Sequence, residues 1–181
     1  MGSRNDDTKV PIDRTHNKVR IVGEKGSETN QLRYELYKHS FERMKIGLSE
    51  KRYFEVVFLS DSIICDRLNS VVQHLRRNEE TDYPHQNVGS MVEIFYTEAN
   101  QSDLIVPKSL RKLIHSINTE WVPKRNFVGH SMVLVTNQNQ KMGVSERLEM
   151  VRVCAEEGYH YSRQIVSEIK PLIRDITGEL D

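Results

Sequence analysis

The sequence predicts an all-α protein, an up-and-down bundle of four main helices with short accessory helices and an irregular N-terminal arm. Apolar residues recur at spacings of three and four over several long stretches, which is the period of an amphipathic helix. The richest of these stretches contains neither glycine nor proline. The 181 residues are enough for one domain with a sizeable hydrophobic core.

The predicted N-terminal arm covers residues 1–28, and the helical domain covers residues 29–181. Glycines, a proline and charges of both signs are scattered through the arm. Residues 18–22 alternate briefly, which fits a short strand or an arm over a partner, and a mobile tail fits equally well. Thr29 is the predicted N-cap of the first helix, which runs to about Leu48. Its apolar stripe consists of Leu32, Leu36, Phe41, Met44 and Leu48.

Residues 51–77 form the strongest helical segment. Their β-branched content would also suit strands, but the length of the segment favours a helix. The apolar stripe is broad enough that we expect this helix to be central and packed on two sides. The stripe consists of Phe54, Val57, Phe58, Ile64, Leu68, Val71, Val72 and Leu75, widened by Val56, Leu59 and Ile63.

Shorter elements follow the central helix. Residues 79–87 are predicted as a loop, residues 91–96 as a short apolar helix and residues 99–103 as a turn. Pro107 is placed to open a helix that covers about residues 106–121. Its inward side chains are Leu110, Leu113, Ile114 and Ile117.

The final helix is predicted to start near Ser145 and to run to about Ile176. Pro171 should bend its last turns, because proline lacks the N–H that a helix interior requires. Its stripe consists of Leu148, Val151, Cys154, Tyr161, Ile165, Ile169, Leu172 and Ile176.

Composition narrows the classes of function. Lys plus Arg and Asp plus Glu number 26 each, so no global field favours nucleic acid or an anionic membrane. The balance argues against a protein that coats RNA and leaves open an enzyme that contacts RNA transiently. Asp61 and Asp66 interrupt the richest apolar run, so we expect no membrane span. Residues 1–13 are polar, which excludes a signal peptide.

The two cysteines point to a reducing compartment. Cys65 and Cys154 both lie in apolar helical surroundings, which suits buried thiols of a cytoplasmic protein better than a disulfide framework. Metal-ligand patterns such as C-x-x-C and H-E-x-x-H do not occur in the sequence. We therefore expect neither a metal ion nor another cofactor.

Residues 121–132 bring together side chains that suit phosphate chemistry. Pro123 is expected either to kink the preceding helix or to start a new one. Asn126 and His130 are then i, i+4 neighbours on one helical face. Arg125 lies about 140° round the helix from His130, but its long side chain can reach back toward that face. A guanidinium beside an imidazole, which titrates near neutral pH, suits binding and cleavage of a phosphodiester.

The pattern Arg125-Asn126-x-x-x-His130 resembles the R-x4-6-H motif of the HEPN superfamily, in which a polar residue commonly follows the arginine. It comes late in an all-α bundle, and residues 53–75 are similar to the long second helix of such domains. The likeness covers roughly residues 32–176. It implies a metal-independent endoribonuclease that acts as a homodimer, often as a toxin or an effector of phage defence. Other members of the superfamily are inactive and serve as binding or adaptor domains.

This resemblance assigns catalysis to Arg125, Asn126 and His130. His130 would act as general base or acid while a ribose 2′-hydroxyl attacks the adjacent phosphate of an RNA substrate. Arg125 would hold the non-bridging oxygens, and Asn126 would orient the imidazole or donate to the phosphate. A two-fold dimer would bring a second histidine to the same cleft. A toxin of this kind would also have an antitoxin or regulatory protein partner.

The same residues also admit plainer interpretations. His130 can be a structural histidine that a neighbour satisfies, and Arg125 can be a surface charge. The motif spacing alone is weak, because Arg33 with His39 and Arg67 with His74 also match it.

The carboxylates of the central helix leave a further choice open. Asp61 and Asp66 need partners if they are buried. Arg67 and Arg125 are the candidates, and solvated positions fit equally well.

Overall fold

A computed structural model of the protein describes residues 28–76, 87–131 and 140–178, and every regular element within these ranges is a helix. The all-α prediction is confirmed. The predicted arm lies outside the described residues except for residue 28, which already belongs to the first helix. The helices are α1 (Glu28–Ser49), α2 (Tyr53–Leu75), α3 (Val88–Gln101), α4 (Lys108–Ser116), α5 (Val122–Ser131) and α6 (Val144–Thr177), with a π-helical turn at Ile117–Trp121.

Helix α2 is the centre of the fold, because it packs against α1, α3 and α6. This confirms the prediction that the helix is packed on more than one side. The second half of α2 is buried almost all round, which explains why its apolar stripe is so wide. The fully buried side chains of α2 include Val56, Ile64, Leu68, Val71 and Val72.

Helices α1 and α2 run antiparallel across a short connection. Tyr37, near the middle of α1, donates a hydrogen bond of 2.5 Å to Asp66, near the middle of α2. Arg43, further along α1, donates to Glu55 near the start of α2 at 2.8 Å. The order of these pairs along the two helices fixes their opposite directions.

Several side chains of the predicted apolar stripes are exposed. They are Leu32 and Leu36 of α1, Phe54 and Phe58 of α2, and Leu148 of α6. These parts of the predicted stripes are therefore not covered by another described element. The helical period identifies side chains that share a face, but it does not say whether another element covers that face.

Two helix boundaries also differ from the prediction. Helix α3 extends from residue 88 to 101, because the side chain of Asn87 caps it by accepting a hydrogen bond from the N–H of Ser90 at 3.0 Å. The predicted turn at 99–103 is therefore largely helical. Helix α1 already includes Thr29, so that residue is not the N-cap.

The last helix, α6, is 34 residues long and continues past Pro171. It begins after Gly143 and ends at Gly178, whose left-handed backbone is the usual helix stop for glycine. Across the described ranges, no helix combines the length and the apolar character that crossing a bilayer requires.

Candidate functional site

Helices α4 and α5 form one continuous rod, because a π-helical turn joins them without a break. The N–H of Val122 donates to the carbonyl of Ile117, which is the i→i−5 bond of a π turn. Pro123 follows at once. A proline inside a helix has no N–H to donate and its ring clashes with the carbonyl four residues earlier, so a wider turn accommodates it. The helix thus continues through Pro123, with a π turn in place of a regular α-helical turn immediately before the proline.

Trp121, the last residue of the π turn, anchors this rod to the core. Its indole is fully buried, and Nε1–H donates to the carbonyl of Cys154 in α6 at 2.9 Å. An added Cβ on Gly158 of α6 would lie 3.0 Å from the Trp121 ring and 2.9 Å from Ser60 Oγ of α2. The absence of a side chain at Gly158 therefore lets α2, α6 and the indole meet.

Arg125 projects from α5 toward the central helix, where Asp61 holds its guanidinium. Arg125 Nε lies 2.9 Å from Asp61 Oδ1, and Nη2 donates to Oδ2 at 2.9 Å. The side chains are 30% and 16% exposed, so the pair lies at the edge of the core. Arg125 Nη1 also donates to the Asn126 side-chain oxygen at 3.0 Å. The carboxylate and the amide together fix the plane of the guanidinium.

The guanidinium keeps donors outside these contacts. A guanidinium carries five N–H groups. The contacts to Asp61 and Asn126 involve Nε and one N–H of each terminal nitrogen. One N–H on Nη1 and one on Nη2 make no hydrogen bond within the described ranges, so each can donate to an anion such as a phosphate or carboxylate.

Asn126 and His130 lie on the exposed side of α5, one helical turn apart. His130 is in the last turn of the helix. Its imidazole hydrogen bonds to neither Arg125 nor Asn126 within the described ranges. The structure therefore links Arg125 directly to Asn126, while His130 shares only the helix with them.

The two carboxylates of α2 have separate partners. Asp61 pairs with Arg125, whereas Asp66 accepts a hydrogen bond from Tyr37. Arg67 donates to the Tyr37 hydroxyl at 2.8 Å, and its guanidinium stacks 4.3 Å above the Tyr37 ring. Of the choices left open by the sequence, Arg125 is thus the partner of Asp61.

The other histidines with matching arginines are arranged differently. His39 is exposed on α1. His74 lies with Nδ1 2.6 Å from the carbonyl of Ser70, one turn earlier in α2. Arg67 is engaged with Tyr37. Arg33 and His39 also share one exposed helix, α1, where Arg33 Nη1 donates to the side-chain oxygen of Asn30 at 3.1 Å. What sets Arg125 apart from Arg33 is its contact with a carboxylate of the central helix.

The sequence did not predict an ion pair that is made by the residue next to Arg125. Lys124 Nζ lies 2.5 Å from Glu157 of α6, and both side chains are half-buried. The contact ties α5 to α6. Opposite charges 33 positions apart carry no local signal, so this pair can be read only from the packing.

The free thiols lie near the site but are poor nucleophiles. Burial raises the pKa of Cys65 to about 12, and the negative charge of Asp61 adds to this effect. Burial likewise raises the pKa of Cys154 to about 12, with a contribution from Glu157. Thiols of this kind stay protonated at neutral pH, so they pack as small apolar groups.

An exposed aromatic surface adjoins the Asp61–Arg125 pair. Phe58 stands one turn before Asp61 on α2 and is 69% exposed, and Phe54 stands one turn before Phe58. We call these two side chains the α2 aromatic face. In the described part of the chain, His, Cys, Asp and Glu side chains form no group of three that could hold a metal ion.

Comparison of the chain with protein-family models, with curated proteins and with solved structures finds no match.

Proposed function

We propose that the protein is a metal-independent endoribonuclease of the HEPN type, acting as a toxin or a phage-defence effector. The observation that carries the proposal is the arrangement on α5. An exposed imidazole, His130, shares a helix with Arg125, whose guanidinium is oriented by Asp61 and Asn126. An oriented guanidinium with N–H groups to spare is a binding group for a phosphodiester.

The reaction needs no group beyond RNA and these side chains. The ribose 2′-oxygen forms a bond to the adjacent phosphorus, and the bond from phosphorus to the 5′-oxygen breaks. A neutral imidazole takes the 2′-hydroxyl proton, and a protonated imidazole gives a proton to the departing 5′-oxygen. The products are a 2′,3′-cyclic phosphate and a 5′-hydroxyl. Arg125 stabilises the charge that grows on the non-bridging oxygens, and Asn126 holds the guanidinium in place.

A homodimer supplies the second imidazole. One histidine cannot be neutral and protonated in the same step, whereas a two-fold axis beside α5 brings both copies of His130 to one cleft. The α2 aromatic face supports this assembly, because Phe54 and Phe58 are exposed next to Asp61. Large exposed aromatic side chains are enriched at protein interfaces. The partners are thus RNA, a second copy and, for a toxin, an antitoxin or regulatory protein.

The proposed site of action is the cytoplasm. Both cysteines are free, which fits a reducing compartment. RNA accessible to a toxin or defence effector is found there.

The chemistry can be tested with a chimeric oligonucleotide that is DNA except for a single ribonucleotide. The protein is expected to cut only after that ribonucleotide, to leave a 2′,3′-cyclic phosphate, and to remain active in excess EDTA. The matched control replaces the ribonucleotide with its 2′-O-methyl form, which has no nucleophilic hydroxyl. Cleavage of the control, or loss of activity in EDTA, would overturn the proposed reaction.

A second function is favoured by one specific observation. Asp61 neutralises Arg125, so the pair also suits a purely structural contact between α5 and α2. In that case the domain is a catalytically silent helical interaction module. The two functions differ in a direct measurement, since the silent module binds a partner but leaves the ribonucleotide-containing oligonucleotide intact.

A further inference from the structure

A groove of about 990 Å³ lies on the outer surface of the rod, away from the α5 site. It runs between Tyr96 of α3, the connection at residues 105–107 and the outer side of α4. We call it the α3/α4 groove. Lys112 in its wall precedes Arg125 by 13 residues, which corresponds to about 20 Å along a helix axis. The groove is therefore a separate surface.

The floor of the groove is apolar and held in place. Ile105 is 86% exposed at the groove, whereas Val106 beside it is buried and belongs to the core. The Tyr96 hydroxyl donates to the carbonyl of Arg111 at 3.4 Å. Arg111 Nη2 donates to the carbonyl of Val106 at 3.3 Å. These two bonds fix the ring and the guanidinium against the connection, so the floor is formed before any partner arrives.

The wall of the groove is cationic with a helical period. Lys108, Lys112 and His115 stand at i, i+4 and i+7 on α4, with Arg111 between them. These positions face the same side of the helix and rise by about 6 Å per turn. The residues that line the groove include no Asp or Glu. The wall thus presents two lysines, an arginine and a histidine, while a carboxylate, Glu168, lies outside the groove in the adjoining cavity that Lys112 also lines.

From this combination we propose that the α3/α4 groove binds an acidic amphipathic helix of a partner protein. Leucine-like side chains of that helix would cover Ile105. Its carboxylates, placed at i, i+4 and i+7, would meet Lys108, Lys112 and His115. A helix laid along α4 matches both the apolar floor and the spacing of the cations.

RNA is a poorer occupant of the same groove. Nucleic-acid interfaces are more polar than this floor, and single strands are held by stacking on exposed aromatic faces. The lining residues include two aromatic rings, Tyr96 and His115, and the Tyr96 hydroxyl is bonded to the carbonyl of Arg111. The exposed aliphatic side chain of Ile105 would make no favourable contact with charged phosphates.

The test uses a fluorescein-labelled synthetic peptide of glutamate, leucine and alanine, about 18 residues long so that it forms a helix. Its glutamates and leucines occupy adjoining faces. Fluorescence anisotropy with the full chain is expected to show binding that weakens as salt is added. Ile105→Asp and Lys112→Glu are each expected to weaken binding by about tenfold or more. Lys170→Glu, an exposed lysine on α6, is the matched control and should leave the affinity unchanged.

Two further probes keep the proposal open to refutation. A peptide with lysine in place of every glutamate should not bind. A fluorescein-labelled 2′-O-methyl RNA, which resists the proposed cleavage, tests the nucleic-acid alternative. The proposal is overturned if the acidic peptide does not bind, if Lys170→Glu weakens it as much as Lys112→Glu, or if the RNA binds instead and is lost in the groove variants. None of these outcomes depends on RNA cleavage, so the peptide-binding proposal is tested independently of the endoribonuclease proposed for α5.

Discussion

At Arg125, the guanidinium and the Asp61 carboxylate are linked at the edge of the core, where neither charge is fully hydrated. Fully exposed ion pairs contribute about 0–1 kcal/mol to stability. Breaking a buried pair costs several times more, because one charge is left without a partner. The partial burial here places the pair between these limits. Asp61 thereby acts on Arg125 in two ways, by stabilising its position and by reducing its net charge.

Asp61→Asn tests the orienting role. The amide keeps the shape of the carboxylate but loses its charge, so Arg125 is held less firmly. We expect the free energy of unfolding to fall by about 1–2 kcal/mol. RNA cleavage should fall by roughly 10- to 100-fold, because the phosphate is then bound by a misplaced group. Urea denaturation and a cleavage assay measure the two effects.

Asp66→Asn is the matched control on the same helix. Asp66 binds Tyr37 on the side of α1, so its loss should cost stability without slowing cleavage. Equal rates for Asp61→Asn and wild type would show that Asp61 does not position a catalytic arginine.

At the scale of the elements, one close approach holds the site's helix in place. Gly158 of α6 lies against Ser60 of α2 and against the Trp121 ring. Because Trp121 ends the π turn that leads into α5, this contact sets where Arg125 emerges. Real Cβ atoms almost never come as close as 2.9–3.0 Å to other heavy atoms, so a methyl group at Gly158 must displace a neighbour.

Gly158→Ala is therefore expected to lower the free energy of unfolding by about 1–3 kcal/mol through overpacking. Gly129→Ala is its matched control, since Gly129 is also helical but has nothing within 4 Å of an added Cβ. There alanine should stabilise by up to about 1 kcal/mol through helix propensity. Thermal or urea unfolding gives both values. A gain in stability at both positions would contradict the packing described for α6.

The sequence predicted which segments are helical, but it did not predict which other elements those helices pack against. The period and the length of α2 favour a helix over a strand, and the all-α fold follows from such segments. The exposure of Leu36 and Phe58 could not be predicted, because burial depends on which elements pack together. The π turn before Pro123 could not be predicted either, because a proline at this position is compatible with a kink, a new helix or a wider turn.

The candidate site could also be predicted only in part, namely the residues on α5 but not their partner on α2. Arg125, Asn126 and His130 follow from spacing on a single helix, which local sequence can define. Asp61 is 64 positions away from Arg125, and the sequence alone left Arg67 as an equal partner. Contacts between distant helices are set by packing, so only the structure resolved that choice.

At the scale of the whole molecule, acid stability depends on a buried ion pair between the end of α2 and α3. Arg76 donates to Glu98, and this hydrogen bond lowers the pKa of Glu98 below its ordinary value of about 4.3, against the opposing effect of burial. A pKa lower in the folded than in the unfolded state adds stability above pH of about 4.3. That stability is lost as the pH falls below this value.

Glu98→Gln is expected to lower the free energy of unfolding by roughly 1–2 kcal/mol at neutral pH. The difference from wild type should shrink at acid pH, once Glu98 of the wild type takes up a proton and its hydrogen-bonded pairing with Arg76 is lost. Urea denaturation at the two pH values measures it. Glu93→Gln, on the exposed side of α3, is the control. A difference that stays constant with pH would contradict the assigned role of the pair.

In the proposed endoribonuclease, α5 is the catalytic element. The most direct measurement is the cleavage rate of single-stranded RNA by Arg125→Ala and His130→Ala, compared with Arg152→Ala and His160→Ala. Arg152 is an ion-paired arginine and His160 an exposed histidine, both on α6 and outside the site. We predict that each α5 variant loses activity by about 10²-fold or more, while both α6 variants cut at the wild-type rate. If all four variants and the wild type cut RNA equally, the α5 residues are not catalytic.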